Sequence, residues 1–259
     1  MTSDRGARTK IIVISMADAV ERRSRFQDRA RDAVAAWSFF PARTSLHPNL
    51  SYNERDAIIA KGRPLRPGEI GCYSSHYAAW RDLQGDDVDQ YVVLEDDVIV
   101  DWTFVGQMME IDFAKIGIDY LRLYYKAPAR PAMVRENFFG RSRSIVEVSG
   151  SAFGTQGYLI TKAGAKVFLD HCRVVKRPID DEMDRSWAHG VPNLAVFPFP
   201  IIEEAAPSGI GGTRFETYAV PAHLKLKRLV THRMERWRRD AAAAMRRFRR
   251  FQTRWHAKT

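Results

Sequence analysis

Three consecutive carboxylates, Glu95, Asp96 and Asp97, interrupt the otherwise apolar stretch YVVLEDDVIV. Like charges that close repel one another, so the cluster needs a cation in its midst or enough water to screen it. On an extended chain Glu95 and Asp97, two apart, project to one side and Asp96 to the other. Hard divalent cations take oxygen ligands and bridge carboxylates to substrate phosphates, which makes Glu95-x-Asp97 a handle for a metal-bound diphosphate. The plain alternative is a solvated turn after a strand. A second acidic group, Asp180, Asp181 and Glu182, follows Pro178. Acids there can serve as a general base, or can simply favour the positive end of a helix they begin.

The elements that must position these groups are legible as alternating patterns. Apolar runs suited to strands recur at KIIVIS, YVVLE, DYLRLYY, SIVEV, GYLIT and LAVFPFP. Helical segments are expected at 19–36, 52–61, 68–84, 161–172 and 180–189, with Thr161 as a cap and Gly85 as a stop. Such alternation predicts an α/β body with a mixed, mostly parallel sheet flanked by helices. In that frame YVVLE is a buried strand that delivers acids to its carboxyl end, where open α/β sheets bind ligands. Lys126 to Arg143, rich in Pro, Arg and Phe without a clean period, reads as a surface loop. No internal repeat is evident.

Composition narrows the classes. With 259 residues and 45% apolar content the chain has the makings of a folded core, and no apolar run approaches the ~18 residues of a membrane span. The N-terminus is basic and then apolar, but Ser15 and Asp18 break the run without a small-residue cleavage site. Two cysteines, Cys72 and Cys172, are too few for a disulfide framework or a cysteine metal site. A cytoplasmic location with reduced thiols is the expectation. The net charge of +10 is concentrated: Pro221 to Thr259 holds 13 Lys and Arg against 2 Asp and Glu, which leaves residues 1–220 nearly neutral. The division expected is therefore a body over 1–220 and a basic helical tail over 221–259.

LRPGEIGCYSSHYAAW, Leu65 to Trp80, followed by YVVLEDDV, resembles the pattern of glycosyltransferase family 25. IIVISMADAVERRSRF, GTQGYLITKAGAKVFL and RPIDDEM are similar to further segments of that family in the same order, over about residues 10 to 210. The resemblance implies a GT-A-like fold and an inverting, metal-assisted transfer of a hexose, galactose or glucose, from a UDP-sugar to an acceptor hydroxyl. A lipopolysaccharide or lipooligosaccharide core suits this chain better than collagen. Mn2+ or Mg2+ would be held by Asp97 first, with Glu95 as a second ligand or a ribose contact and Asp96 assisting through a hydrogen bond. Asp180 matches the family's Pro-x-Asp position and is the first choice of base, with Asp181 second. Donor contacts are expected from Ser15, which stands where the family commonly has Asn, from one of Arg22 and Arg23, and from Ser75, His76, Gly157 and Ser208. Several of these have structural alternatives: His76 as a buried anchor of its helix, Glu69 as support for the helix start, Gly154 and Gly157 as turn residues. Cys72 is read as packing.

In the tail, Val230, Met234, Trp237, Ala241, Ala244, Phe248, Phe251 and Trp255 fall at alternating spacings of four and three, one stripe along a helix. Arginines such as Arg238, Arg239, Arg246, Arg247, Arg249 and Arg250 surround it. An interfacial helix has this composition, with anionic lipid attracting the cations and aromatic rings entering the headgroup boundary. A coiled-coil seam in a homodimer is the alternative, and the near-neutral body speaks against nucleic acid as a partner. The combined expectation is a peripheral enzyme on the inner face of the cytoplasmic membrane, acting on a lipid-linked oligosaccharide. The rival is a catalytically silent module of the same fold, docked through its tail.

Overall fold

The run KIIVIS enters the core on both faces at once. Ile12 and Ile14 join one buried cluster with Trp80, Val93 and Ile160, while Ile11 and Val13 join another with Phe26, Val92 and Leu159. Period-two alternation has sorted one strand into two cores, which a sheet covered by helices on both faces requires. The computed structural model describes residues 7–127, 130–140, 142–204 and 218–256, with side chains as far as Met245.

In chain order the elements are β1 (Thr9–Ser15), α1 (Val20–Arg29), β2 (Trp37–Pro41), β3 (Ser51–Tyr52), α2 (Glu54–Lys61), α3 (Pro67–Gly85), β4 (Gln90–Glu95), β5 (Val98–Val100), α4 (Trp102–Met109), β6 (Tyr120–Arg122), β7 (Arg130–Arg135), β8 (Ser144–Ser149), β9 (Gly157–Thr161), α5 (Lys162–His171), β10 (Val174–Val175), α6 (Ile179–Met183), α7 (Ser186–His189), β11 (Leu194–Phe197), β12 (Ile201–Glu203) and α8 (Ala222–His256). The main sheet runs β2-β1-β4-β9-β6-β11-β8-β7. It is mixed: β1 is parallel to β2 and β4, and β6 to β11, while β4–β9, β6–β9, β8–β11 and β7–β8 are antiparallel. Helices α3 and α5 cover one face, through Trp80 and Phe168. Helices α1 and α4 cover the other, through Phe26 and Val105.

Several expectations need correction. The helix foreseen over 19–36 ends at Arg29, and Trp37–Pro41 instead adds the parallel edge strand β2. The helix foreseen over 180–189 is two short ones, α6 and α7, because the backbone leaves the helical region at Arg185 between them, at φ −85° and ψ 52°. Lys126 to Arg143 is more than a loop, since β7 pairs with β8 as an edge strand with all six residues exposed. Helix α4 was not foreseen; Asp101 caps it by accepting from the Phe104 amide at 3.0 Å.

The long α8 docks by a face other than its apolar stripe. Leu224 packs on Ile58 and Ile59, and Arg228 donates to the carbonyls of Ile58 and Ile59 at 3.3 and 3.1 Å, satisfying the C-terminal end of α2. Farther along, Glu235 accepts from Arg177 at 3.0 Å and Arg185 at 2.7 Å. Within the stripe Val230 and Met234 face outward, 48% and 51% exposed, while Trp237, 72% exposed, borders a hollow shared with Arg185 and Trp187.

Candidate active site

Parallel pairing of β1 and β4 brings their carboxyl ends side by side, with Ile14 opposite Glu95. Ser15 therefore reaches the acidic cluster, and its hydroxyl donates to Asp96 at 2.7 Å. Arg22, one turn into α1, donates to the other Asp96 oxygen and lies 3.3 Å from Asp97. Arg23 instead stacks on the Phe39 ring, 4.1 Å from its centroid. Of the two arginines, Arg22 is the one at the site.

The extended-chain expectation for the three acids fails because β4 ends at Glu95 and the chain turns through Asp96 and Asp97 before β5. Asp96 is buried inside the cluster rather than directed away, and it shares the Arg22 guanidinium with Asp97. Glu95 faces across to β9 and α3. Thr155 donates to it, and His76 Nε2 lies 3.5 Å from the same oxygen. His76 Nδ1 meets the Tyr158 hydroxyl at 2.8 Å, which also accepts from Trp80 Nε1 at 2.9 Å. With Trp80 donating, the Tyr158 hydrogen is free for Nδ1, an arrangement consistent with a His76 proton on Nε2, toward Glu95. His76 is thus both buried and part of the site.

The electrostatics separate the two outer acids. Burial works to raise the Glu95 carboxyl, but the His76 hydrogen bond and the neighbouring Thr155 and Arg22 outweigh it, so its pKa is lowered. Burial, and then the Glu95 charge, push Asp97 up to about 7 against the opposing pull of Arg22. Asp97 Oδ1 is buried with no hydrogen-bond partner. An orphaned anionic oxygen beside a second carboxylate is the feature a divalent cation relieves, so the residues fit a hard metal at Asp97. A second donor set, Cys72, His76 and Glu95, offers one atom each within 4.8 Å of one another, and Cys72 and His76 sit one helical turn apart. Both sets include or border Glu95.

The second acidic group lies against the loop before β9. Asp180 accepts from the Gly154 amide at 3.1 Å and from the Asp181 amide at 2.9 Å. Asp181 turns to Lys61 at 2.6 Å, and burial raises its pKa despite that lysine. The loop is clamped from beneath by Arg122, which donates to the Gly154 carbonyl at 2.6 Å and to Asp184 at 2.8 Å. Asp184 in turn accepts from the Phe153 amide at 2.8 Å. This clamp holds Phe153 at φ +54° and Gly154 at φ +90°.

Other expected residues have structural duties. Ser75 donates to the Gly71 carbonyl at 2.7 Å and accepts from the Arg43 amide at 2.8 Å, tying the chain after β2 to α3. Glu69 accepts both guanidinium nitrogens of Arg63, at 2.8 and 2.6 Å, and the Arg66 amide at 2.9 Å, so it supports the start of α3. At Gly157 a side chain would run into Ile201 and Leu94, a packing reason for glycine. Ser208 lies outside the described residues. Arg122, Thr155, Tyr158, Lys61 and Asp184 were not anticipated. The one signal was Arg122 itself, a charge inside the apolar run DYLRLYY that needs a buried partner.

A mixed α/β body that gathers acids at strand ends belongs to the broad class of ligand-binding α/β folds. The sequence profile of glycosyltransferase family 25 (LPS biosynthesis protein) matches residues 8–183. The chain belongs to that family, and its body is a mixed α/β fold with a large sheet flanked by helices. Its relatives include a glycosyltransferase 25 family member of Aedes aegypti, 33% identical over 122 residues, covering 46% of this chain and 20% of the relative. An inactive glycosyltransferase 25 family member 3 of Homo sapiens is 29% identical over 176 residues, covering 62% and 28%. Procollagen galactosyltransferase 2 of Mus musculus is 30% identical over 106 residues, covering 40% and 17%. The chain therefore spans between a sixth and a third of the length of these relatives. A solved glycosyltransferase involved in glycosylation of the PBCV-1 major capsid superposes loosely, at TM-score 0.31 and 10% identity over 74% of this chain and 71% of that one.

Proposed function

We propose that this glycosyltransferase is an inverting hexosyltransferase, moving galactose or glucose from a UDP-sugar to a hydroxyl of a lipid-linked lipopolysaccharide or lipooligosaccharide core. The observation that carries the reading is Asp97: a buried carboxylate with an orphaned oxygen, flanked by Glu95 and Arg22. Asp97 and Glu95 would hold manganese or magnesium, which when bound neutralises charge on the leaving diphosphate. Arg22, oriented by Asp96 and through it by Ser15, offers its guanidinium to the same phosphates. His76, anchored by Tyr158, fixes Glu95. Asp180, half-buried and held by the Gly154 amide, accepts the proton of the acceptor hydroxyl as that oxygen bonds the anomeric carbon and UDP departs. Asp181, bound to Lys61, is the second choice for that role.

The basic α8, with its outward Val230 and Met234, suits a peripheral position on the cytoplasmic membrane face, next to a lipid-linked acceptor. Galactose is favoured as donor sugar by the relatives named procollagen galactosyltransferases.

The test is calorimetric titration of UDP, with and without manganese, alongside transfer assays. Wild type should bind UDP in a metal-dependent manner. Asp180→Asn should retain that binding and lose transfer by about a hundredfold or more; loss of donor binding in this variant would remove Asp180 from the base role. A second reading, a silent family member docked on membranes, is favoured by the relative named inactive. It predicts no turnover of any UDP-hexose, with or without metal.

A further inference from the structure

Between α8 and the α6–α7 segment runs a cavity of about 480 Å3, with Asp181 on one side and Arg177, Arg185, Trp187, Arg233 and Arg236 around it. Through Arg185 and Trp187 it continues into a second hollow faced by Trp237. Its cations are not all neutralised. Arg177 and Arg185 pair with Glu235 and Glu182, whereas Arg233 and Arg236 have no ion-pair partner among the described residues. Two buried donors in its lining, Arg185 Nε and Trp187 Nε1, have no hydrogen-bond acceptor. Buried donors without acceptors are unfavourable, and guanidinium groups beside them favour a ligand rich in anionic oxygen.

The cavity also offers aromatic surface. The indoles of Trp187 and Trp237 present apolar faces with a polar edge, suited to the C–H face of a pyranose ring. Of the three acids in its lining, Asp184 and Glu235 are held by Arg122 and by Arg177 and Arg185, and Asp181, held by Lys61, is the immediate neighbour of Asp180 in the chain. Two unpaired guanidinium charges match a phosphomonoester, which carries close to two negative charges at neutral pH; a carboxylate would leave one unmatched. Resting on the glycosyltransferase reading, we infer that this groove is the acceptor subsite and takes a saccharide bearing a phosphomonoester, with α8 as one of its walls. Arg233 and Arg236 hold the phosphate, and Trp187 and Trp237 stack the sugar.

The experiment titrates the full chain with glucose 6-phosphate, glucose, glucuronate and inorganic phosphate, read by calorimetry and tryptophan fluorescence. Glucose 6-phosphate should bind most tightly, and the double variant Arg233→Ala, Arg236→Ala should weaken it by about tenfold or more. Replacing both by lysine keeps the charge but loses the fork, and should weaken it less. Both positions are exposed, and an unchanged thermal melt shows that the variants fold. Equal binding of all four ligands, no binding, or binding unaffected by the alanine pair overturns the proposal. So does capture by phosphatidylglycerol vesicles that requires these arginines without any sugar-phosphate binding, which would give them to lipid headgroups. Manganese-dependent UDP binding, measured in parallel, reads the donor site alone, so failure of the transferase reading and failure of this subsite are distinguishable.

Discussion

Asp97 is held in a conflict that a proton or a bound cation relieves. Its folded pKa of about 7 stands above the 3.8 of an ordinary aspartate, so between those values the folded chain holds the proton more tightly than the unfolded one. The stability this confers is full below the lower value and drains away as pH rises to the upper one, the reverse of a salt-bridged carboxylate. Asp97→Asn, neutral and nearly isosteric, should therefore make the metal-free protein more stable at pH 8 by roughly 1–3 kcal/mol, water at the partly open site reducing the full effect. The same variant should lose manganese-dependent UDP binding. Denaturant melts at pH 5 and pH 8 check this: a variant no more stable than wild type at the higher pH would show that Asp97 is not strained. That these acids matter was legible in the sequence, because three adjacent carboxylates after an apolar run are chemically costly. What restrains them was not. Lys61 meets Asp181 from 120 residues away and Arg122 meets Asp184 from 62 away, and no local pattern encodes such pairings.

At the level of elements, the loop before β9 is shaped by a strut that begins in β6. Arg122 and Asp184, 1% and 3% exposed, form a buried pair whose remaining bonds go to Asn193 at 2.8 Å and to the Phe153 and Gly154 backbone. Removing one partner leaves the other charge buried, so Arg122→Met should cost about 3–5 kcal/mol. Adding Asp184→Asn should recover part of that loss while transfer stays impaired, since neither side chain then holds the Gly154 carbonyl. Thermal melts and transfer assays on the single and double variants read the two effects separately. A double variant with normal transfer would mean that the loop keeps its shape unaided. Strands β1, β4 and β9 were readable in advance because both faces are buried and the runs are continuously apolar, and helix α5 because one of its faces is apolar. Helix α4 and strand β7 were not. The first is short and almost wholly apolar, which hides a helical period; the second is an exposed edge strand whose Pro131 and arginines imitate a loop.

Across the whole molecule, α8 has two working faces and a third turned outward. Leu224, Arg228 and Glu235 fasten it to α2 and to the α6–α7 segment, while its arginines line the cavity beside Asp181. Val230 and Met234 are turned outward, Trp237 stands largely exposed at the mouth of the second hollow, and the segment from Pro221 carries 13 Lys and Arg. An outward apolar stripe among cations makes a specific prediction for the proposed membrane contact. Val230→Asp with Met234→Asp should reduce binding to phosphatidylglycerol-containing vesicles by about tenfold or more, through lost apolar burial and added repulsion. Because both residues are already exposed, the melting temperature should hardly move. Wild-type binding should also weaken as salt rises, since part of the attraction is between the cationic tail and anionic lipid. Vesicle sedimentation and sedimentation equilibrium, run on the same samples, separate the lipid surface from a second copy of the chain. If the two substitutions leave vesicle binding intact but dissolve a dimer, the stripe is a subunit seam, and the enzyme meets its acceptor by some other surface.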